Sequence, residues 1–153
     1  MQSEILSTTP ESEIVNSRVV NAPRETVWAA WTDPGHLKNW WGPAGFTNTF
    51  HEFDLQVGGK WVFTMHGPEK GNYPNDCEFI KIEKPSLIAW KRHSQPWFQV
   101  LATFEALGPA QTKVVFKQLF ETAEACSKLR PYVEDKNEEN LDRLEAELQK
   151  MMG

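Results

Sequence analysis

The chain has 153 residues, enough for one domain with a real core, and 40% of them are hydrophobic against 24% charged. Sixteen Lys and Arg against 21 Asp and Glu leave a net charge of −5, with no basic stripe to neutralise nucleic-acid phosphates or meet an anionic membrane surface. No apolar run approaches the roughly 20 residues that span a bilayer, so neither nucleic acid nor membrane is an expected partner.

The opening segment, "MQSEILSTTPESE", lacks the basic start and apolar stretch of a signal peptide, and residues 1–12 read as a flexible terminus before one domain over 13–153. The only two cysteines, Cys77 and Cys126, lie far apart, which points to reduced thiols and a cytoplasmic protein. His36, His51, His66 and His93 fall into no HxxxH or HExxH spacing and no CxxC accompanies them, so no metal and no cofactor is expected.

The β-branched stretch Glu13–Ala22 reads as a strand. Pro23 then suits a first helical position, and Val27, Trp28 and Trp31 share one helical face. Pro34 disfavours helix at Asp33 and opens a second short helix to about Asn39, after which Trp40-Trp41 and Gly42-Pro43 force a turn. From Phe46 the period becomes two. "FTNTFHEFDL" and "KWVFTMH" form a hairpin about Gly58-Gly59, with Trp61, Phe63 and Met65 on one face. Four further strands, Asp76–Lys84, Ser86–Arg92, Trp97–Leu107 and Thr112–Phe120, follow through short turns and are expected to pair antiparallel. The end is helical, "ETAEACSKLR" and then, after Pro131, a stretch in which Leu141, Leu144, Leu148 and Met151 form a narrow apolar stripe. An antiparallel sheet must hide one face, and this helix is the only long element able to cover it. The order predicts an α+β domain: strand, two short helices, six strands, long helix.

The segments "APRETVWAAWTDPGHLKNWWGPAGF", "FDLQVGGKWVFTMHGPEKGNYPN" and "LDRLEAEL" resemble the activator-of-heat-shock-protein-90-ATPase-homologue branch of the START-like (SRPBCC) superfamily, from about Ile14 to Met151. The resemblance implies a helix-grip fold, β-α-α-β6-α, also described as birch-pollen-allergen-like, with a curved antiparallel sheet wrapped around the C-terminal helix and a cavity between them. Relatives usually carry Gly-Trp where this chain has Lys136-Asn137, which separates its cavity mouth from theirs.

Three functions stand open. The first is binding of a small hydrophobic or aromatic molecule inside the grip. The lining expected for it is Trp31 and Trp41 from the helices; Phe50, Trp61, Phe63, Met65, Phe79, Trp90, Arg92, Phe104 and Phe116 from the strands; and Leu141, Leu144 and Leu148 from the last helix. Arg92 would then meet an acidic head group, or end in solvent. Trp40 and Trp41, being adjacent, are expected to diverge, one sealing the cavity and one facing out. The competing expectation is that seven Trp and nine Phe fill the space themselves. The second function is cyclase- or dehydratase-like proton transfer, for which His51, Glu52, Asp54, Glu78, Arg92 and His93 are the candidates. His51 and Glu52, adjacent in a strand, should point to opposite faces, and no catalytic group is assigned. The third is a protein partner, a homodimer, or a chaperone-activator-like module. The eukaryotic activator is similar to this chain only in its C-terminal domain, and its activating N-terminal domain has no counterpart in this sequence.

Overall fold

The computed structural model describes residues 5–153. Seven strands form one antiparallel sheet: β1 (Glu13–Val20), β2 (Thr47–Phe53), β3 (Lys60–His66), β4 (Asn72–Glu83), β5 (Leu87–Arg92), β6 (Gln99–Gly108) and β7 (Gln111–Leu119). Spatial order is β1-β7-β6-β5-β4-β3-β2, so β2 to β7 form an unbroken meander and β1 closes against β7. Between β1 and β2 lie α1 (Arg24–Thr32) and α2 (Pro34–Trp40), and α3 (Ala123–Met152) ends the chain. This is the helix-grip arrangement expected from the sequence.

The first two helices form where the sequence places them. Pro23 is the cap rather than the first turn of α1. Asp33 ends α1 and caps α2, its carboxylate accepting from Gly35 N–H at 2.9 Å. The hairpin between β2 and β3 depends on Gly59, where a Cβ would lie 2.1 Å from the Asp54 carbonyl; the backbone there must come closer than any side chain allows.

One face of the sheet is buried against α1, α2 and α3. It carries Ile14 and Val20 of β1, Phe116 and Val114 of β7, Val100, Ala102 and Phe104 of β6, Trp90 and Ile88 of β5, Phe79 and Cys77 of β4, and Trp61 and Phe63 of β3. The strict period-two alternation of β6 and β7 puts these residues on one side. Trp31 of α1 lies at the centre, with ring centroids of Trp40 at 4.8 Å, Phe104 at 5.5 Å and Phe116 at 5.9 Å.

Two features depart from the sequence reading. The strand Asn72–Glu83 begins within the stretch expected to be a loop, because Asn72 to Asn75 pair with Phe63 to His66 of β3. The last helix runs through Pro131 without a break. Proline forfeits its own N–H bond to the preceding turn and crowds the carbonyl four residues back, but that turn is held from outside: Cys126 packs with Ile14 and Phe120, and Arg130 donates to the Glu13 carbonyl at 2.8 Å. Residues 1–4 of the expected flexible terminus lie outside the described residues. Of the rest, Pro10–Ser12 forms one 3-10 turn, and Leu6 N–H donates to Gln99 Oε1 at 2.9 Å.

Candidate functional site

α3 is fastened to the domain along two lines. On the β1 side, Asn137 Nδ2 donates to Gln118 Oε1 at 2.8 Å and to Asn16 Oδ1 at 3.2 Å, while Asn16 Nδ2 donates to Glu138 Oε2 at 2.7 Å. Arg18 continues this line with ion pairs to Glu138, Asp142 and Glu145. Burial opposes its charge, but the three carboxylates outweigh burial and raise its pKa. Asn16 lowers the Glu138 pKa by its hydrogen bond, against desolvation and with help from Arg18.

On the other side Arg143 binds the turn after α2. Its Nη1 donates to the carbonyls of Gly42 and Pro43 at 2.9 Å each, and its Nη2 to those of Asn39 at 3.0 Å and Phe46 at 2.9 Å. Asn140 adds a bond to the Trp40 carbonyl at 2.9 Å. Gly42 has φ +104, and a Cβ on it would meet Met65 Cε at 2.7 Å, so the turn takes a shape that only glycine allows here.

Between the two fastenings a cavity of about 240 Å³ remains. Its floor is the sheet: Phe63, Met65, Cys77, Trp90, Val100 and Phe116. Its roof is the stretch of α3 that carries Leu129, Val133, Asn137 and Asn140; one side is the turn Trp41-Gly42-Pro43. Arg92, Pro96 and Phe98 close the other side, and the exposed Pro96 and Lys136 form the rim.

Of the lining expected from the sequence, the structure brings Trp41, Phe63, Met65, Trp90, Arg92 and Phe116 together around this space. Trp31, Trp61, Phe79, Phe104, Leu141, Leu144 and Leu148 pack instead in solid core, and Phe50 lies partly buried at its edge against Phe53 and Trp61. The reason is geometric. The indoles of Trp31 and Trp40 fill the end of the grip facing the C-terminal half of α3, which displaces the open space towards Leu129 and Val133. Neither Trp40 nor Trp41 faces out, contrary to the expected divergence; they are 1% and 9% exposed. Trp40 is the last helical residue and donates Nε1–H to the Ala30 carbonyl at 2.9 Å, whereas Trp41 has already turned to extended backbone (φ −66, ψ 130). The change of backbone lets neighbouring side chains enter the same interior.

The polar candidates separate cleanly. A β-bulge sits between Phe50 and Glu52, so His51 is the unpaired extra residue and both His51 and Glu52 are exposed on the outer side. The expected alternation fails at that bulge. His51 Nε2 lies 2.9 Å from Thr64 Oγ1, and His66 Nε2 lies 2.7 Å from Thr49 Oγ1. Glu78 pairs with His93 at 3.0 Å, and Asp54 belongs to the hairpin turn. Cys77 does face the cavity, and burial pushes its thiol up to about 12. Among the described residues no group of three or more His, Cys, Asp or Glu is placed to hold a metal ion.

Arg92 is the half-buried charged group of the lining, beside Pro96. Its Nε donates to Asn75 Oδ1 at 2.9 Å, its Nη1 donates to the Pro96 carbonyl at 3.0 Å, and its guanidinium lies 5.5 Å from the centre of the Phe98 ring. Burial pulls its pKa below the usual guanidinium value. Beyond the resemblance that put Lys136-Asn137 near the cavity mouth, no local signal marks Leu129, Val133 and Asn140 as a roof. The two buried asparagines interrupt the leucine stripe and resemble surface positions until their partners on β1, β7 and α2 are known.

A family model described as Activator of Hsp90 ATPase homolog 1-like protein matches residues 21–149. None of the curated proteins matches the chain significantly. Among solved structures, a protein from Nitrosomonas europaea superposes with TM-score 0.85 at 17% identity, covering 95% of this chain and 99% of that one. A protein from Arthrobacter aurescens superposes at 0.84 with 24% identity, covering 98% and 93%. The AHSA1 protein from Silicibacter pomeroyi does so at 0.74 with 21% identity, covering 92% and 99%. At these identities the structures speak for the fold alone. Among the described residues no helix is long and apolar enough to cross a membrane.

Proposed function

Because this chain belongs to the family of Activator of Hsp90 ATPase homolog 1-like proteins, whose fold suits a ligand-binding or activator-like module, we propose that it binds a small hydrophobic or aromatic molecule between the sheet and α3. The observation that carries this reading is the cavity of about 240 Å³ left beside an otherwise closely packed aromatic core. At about 24 cal/mol per Å³, a dry void of that size would cost roughly 6 kcal/mol, a large share of a typical domain stability of about 5–15 kcal/mol. A cost of that scale favours a cavity that is filled, by water in the free protein and by a ligand in the bound one. Trp41, Phe63, Met65, Trp90, Arg92 and Phe116 are the side chains from the sheet and the α2 turn that would touch it.

Turnover by acid–base chemistry needs a carboxylate or imidazole within hydrogen-bond reach of the substrate. His51, Glu52, Asp54, Glu78 and His93 all sit on the outer side or in a turn, which favours binding over cyclase-like catalysis. Two unpaired cysteines agree with a reducing compartment, and we place the protein in the cytoplasm. Native mass spectrometry of freshly purified protein, beside a denatured control, tests the reading. A reproducible adduct that disappears on denaturation is expected. A clean apo mass, together with no saturable uptake of apolar probes, would refute it.

A further inference from the structure

The cavity is uneven in charge. Asp and Glu outnumber Lys and Arg in the chain, yet among the described residues no carboxylate lines this space, while two cations do: the half-buried Arg92 beside Pro96 and the exposed Lys136 at the rim. The acids nearest Arg92 in sequence register alternate away from it. Asp76 and Glu78 flank the cavity-facing Cys77 on β4 but point to the other face, where they pair with Lys60 and His93.

Arg92 is also held in one orientation. Asn75 and the Pro96 carbonyl fix the guanidinium plane beside the Phe98 ring. These contacts use two of the five N–H donors an arginine carries. The remaining three have no acceptor among the described residues, and Arg92 has no carboxylate partner there. Lys136 likewise makes no ion pair among the described residues, and it stands on α3 one residue before the buried Asn137. Asn137 and Asn140 spend their amide donors on Gln118, Asn16 and the Trp40 carbonyl, so they brace the roof rather than compete for an anion.

We infer that the molecule bound in the cavity is an organic monoanion, an apolar or aromatic carboxylic acid, whose carboxylate is received by the free edge of Arg92 while its body lies against Trp41, Trp90 and Phe116. The inference rests on the ligand-binding reading above and sharpens it. A planar guanidinium edge matches a carboxylate in two-point geometry. One fixed arginine among rings suits one negative charge, not the several of a phosphate ester. Lys136, flexible and solvated, raises the local anion concentration at the entrance and contributes little to the bound contact. At roughly 30 Å³ per water, the cavity holds about eight water volumes, which suits an acid of one or two rings or a medium-length chain.

The test is a set of matched probes titrated by tryptophan fluorescence and calorimetry: naphthalene carboxylate against naphthalene carboxamide, and decanoate against decanamide. The wild type should bind each acid at least about tenfold more tightly than its amide, the scale of a charge-assisted contact. Arg92→Met should abolish that preference, so that acid and amide bind alike and neither more tightly than the wild type binds the amide, and a near-ultraviolet circular dichroism spectrum equal to that of the wild type shows the variant's aromatic cavity to be intact. Arg92→Lys should keep part of it. Lys136→Met should change the salt dependence more than the preference. Equal binding of acid and amide by the wild type, or a preference that survives Arg92→Met, would overturn the anion inference while leaving the cavity reading in place. Failure of all four probes to bind would overturn both.

Discussion

Replacing Arg143 by methionine should destabilise the domain by about 3 kcal/mol and loosen the Trp41 side of the cavity. The guanidinium donates to the carbonyls of Asn39, Trp41, Gly42, Pro43 and Phe46. The bond to Asn39 is exposed, and water would replace it at little cost. The other four are partly buried. At about 1 kcal/mol for each orphaned acceptor, with water restoring part of the loss, the change falls at roughly 2–4 kcal/mol. Methionine keeps much of the apolar stem, so lost packing adds little. For a chain of this size each kcal/mol corresponds to roughly 2–4 °C, so the melting temperature should fall by about 6–12 °C. Urea unfolding followed by tryptophan fluorescence gives the free energy, and near-ultraviolet circular dichroism reports whether the indoles keep their fixed packing. Lys128→Met, which removes an exposed cation from the same helix, is the control and should cost under about 0.5 kcal/mol. A loss below about 1 kcal/mol for Arg143→Met would refute the reasoning, because it would mean the turn holds its shape without the arginine.

Titrating groups supply two more tests. Burial pushes Cys77 up to about 12 and raises Cys126 as well, so both remain thiols at about pH 8; a colorimetric thiol reagent should label neither cysteine within minutes in the native protein and both after unfolding, and rapid native labelling of one would contradict the burial account. Glu138 has its folded pKa depressed by Asn16 and then Arg18, so its contribution is complete above the unfolded value of about 4.3 and is lost as pH falls through the lower folded value. Glu138→Gln should therefore lose less stability than wild type between about pH 7 and about pH 3, and parallel acid profiles would show that the Asn16–Glu138–Arg18 line contributes nothing measurable.

Most of the fold was legible because its signals are local and redundant. Alternation in β6 and β7, the prolines that open α2 and cap α1, and the glycine pair of the hairpin each specify one geometry, and they agree with one another. The cavity was legible only in part. Trp90 and Phe63 face it because strand alternation puts them on the buried side, and the same rule put Phe79 and Phe104 there without saying that core would close over them. What decides between wall and core is where Trp31 and Trp40 come to rest, a tertiary outcome. The roof was hidden for a different reason. Asn137 and Asn140 are polar, and only partners about 20 to more than 100 residues away make them interior. Arg143 looked like one charge among many on α3, since nothing near it in sequence names the five carbonyls it would meet. The bulge at His51 defeated alternation outright, as one extra residue reverses the facing of the residues after it.

The measurement that tests the account most directly is a nitrogen-15 heteronuclear titration of the protein with naphthalene carboxylate, tracking the seven indole N–H signals and the backbone amides. Saturable shifts are predicted for the indoles of Trp41 and Trp90 and for amides of Val100, Phe116 and Asn137, with Trp28 and the outer residues His51 and Glu52 left in place. Shifts confined to the outer face, or none that saturate, would contradict the claim that the space beneath α3 is a binding site.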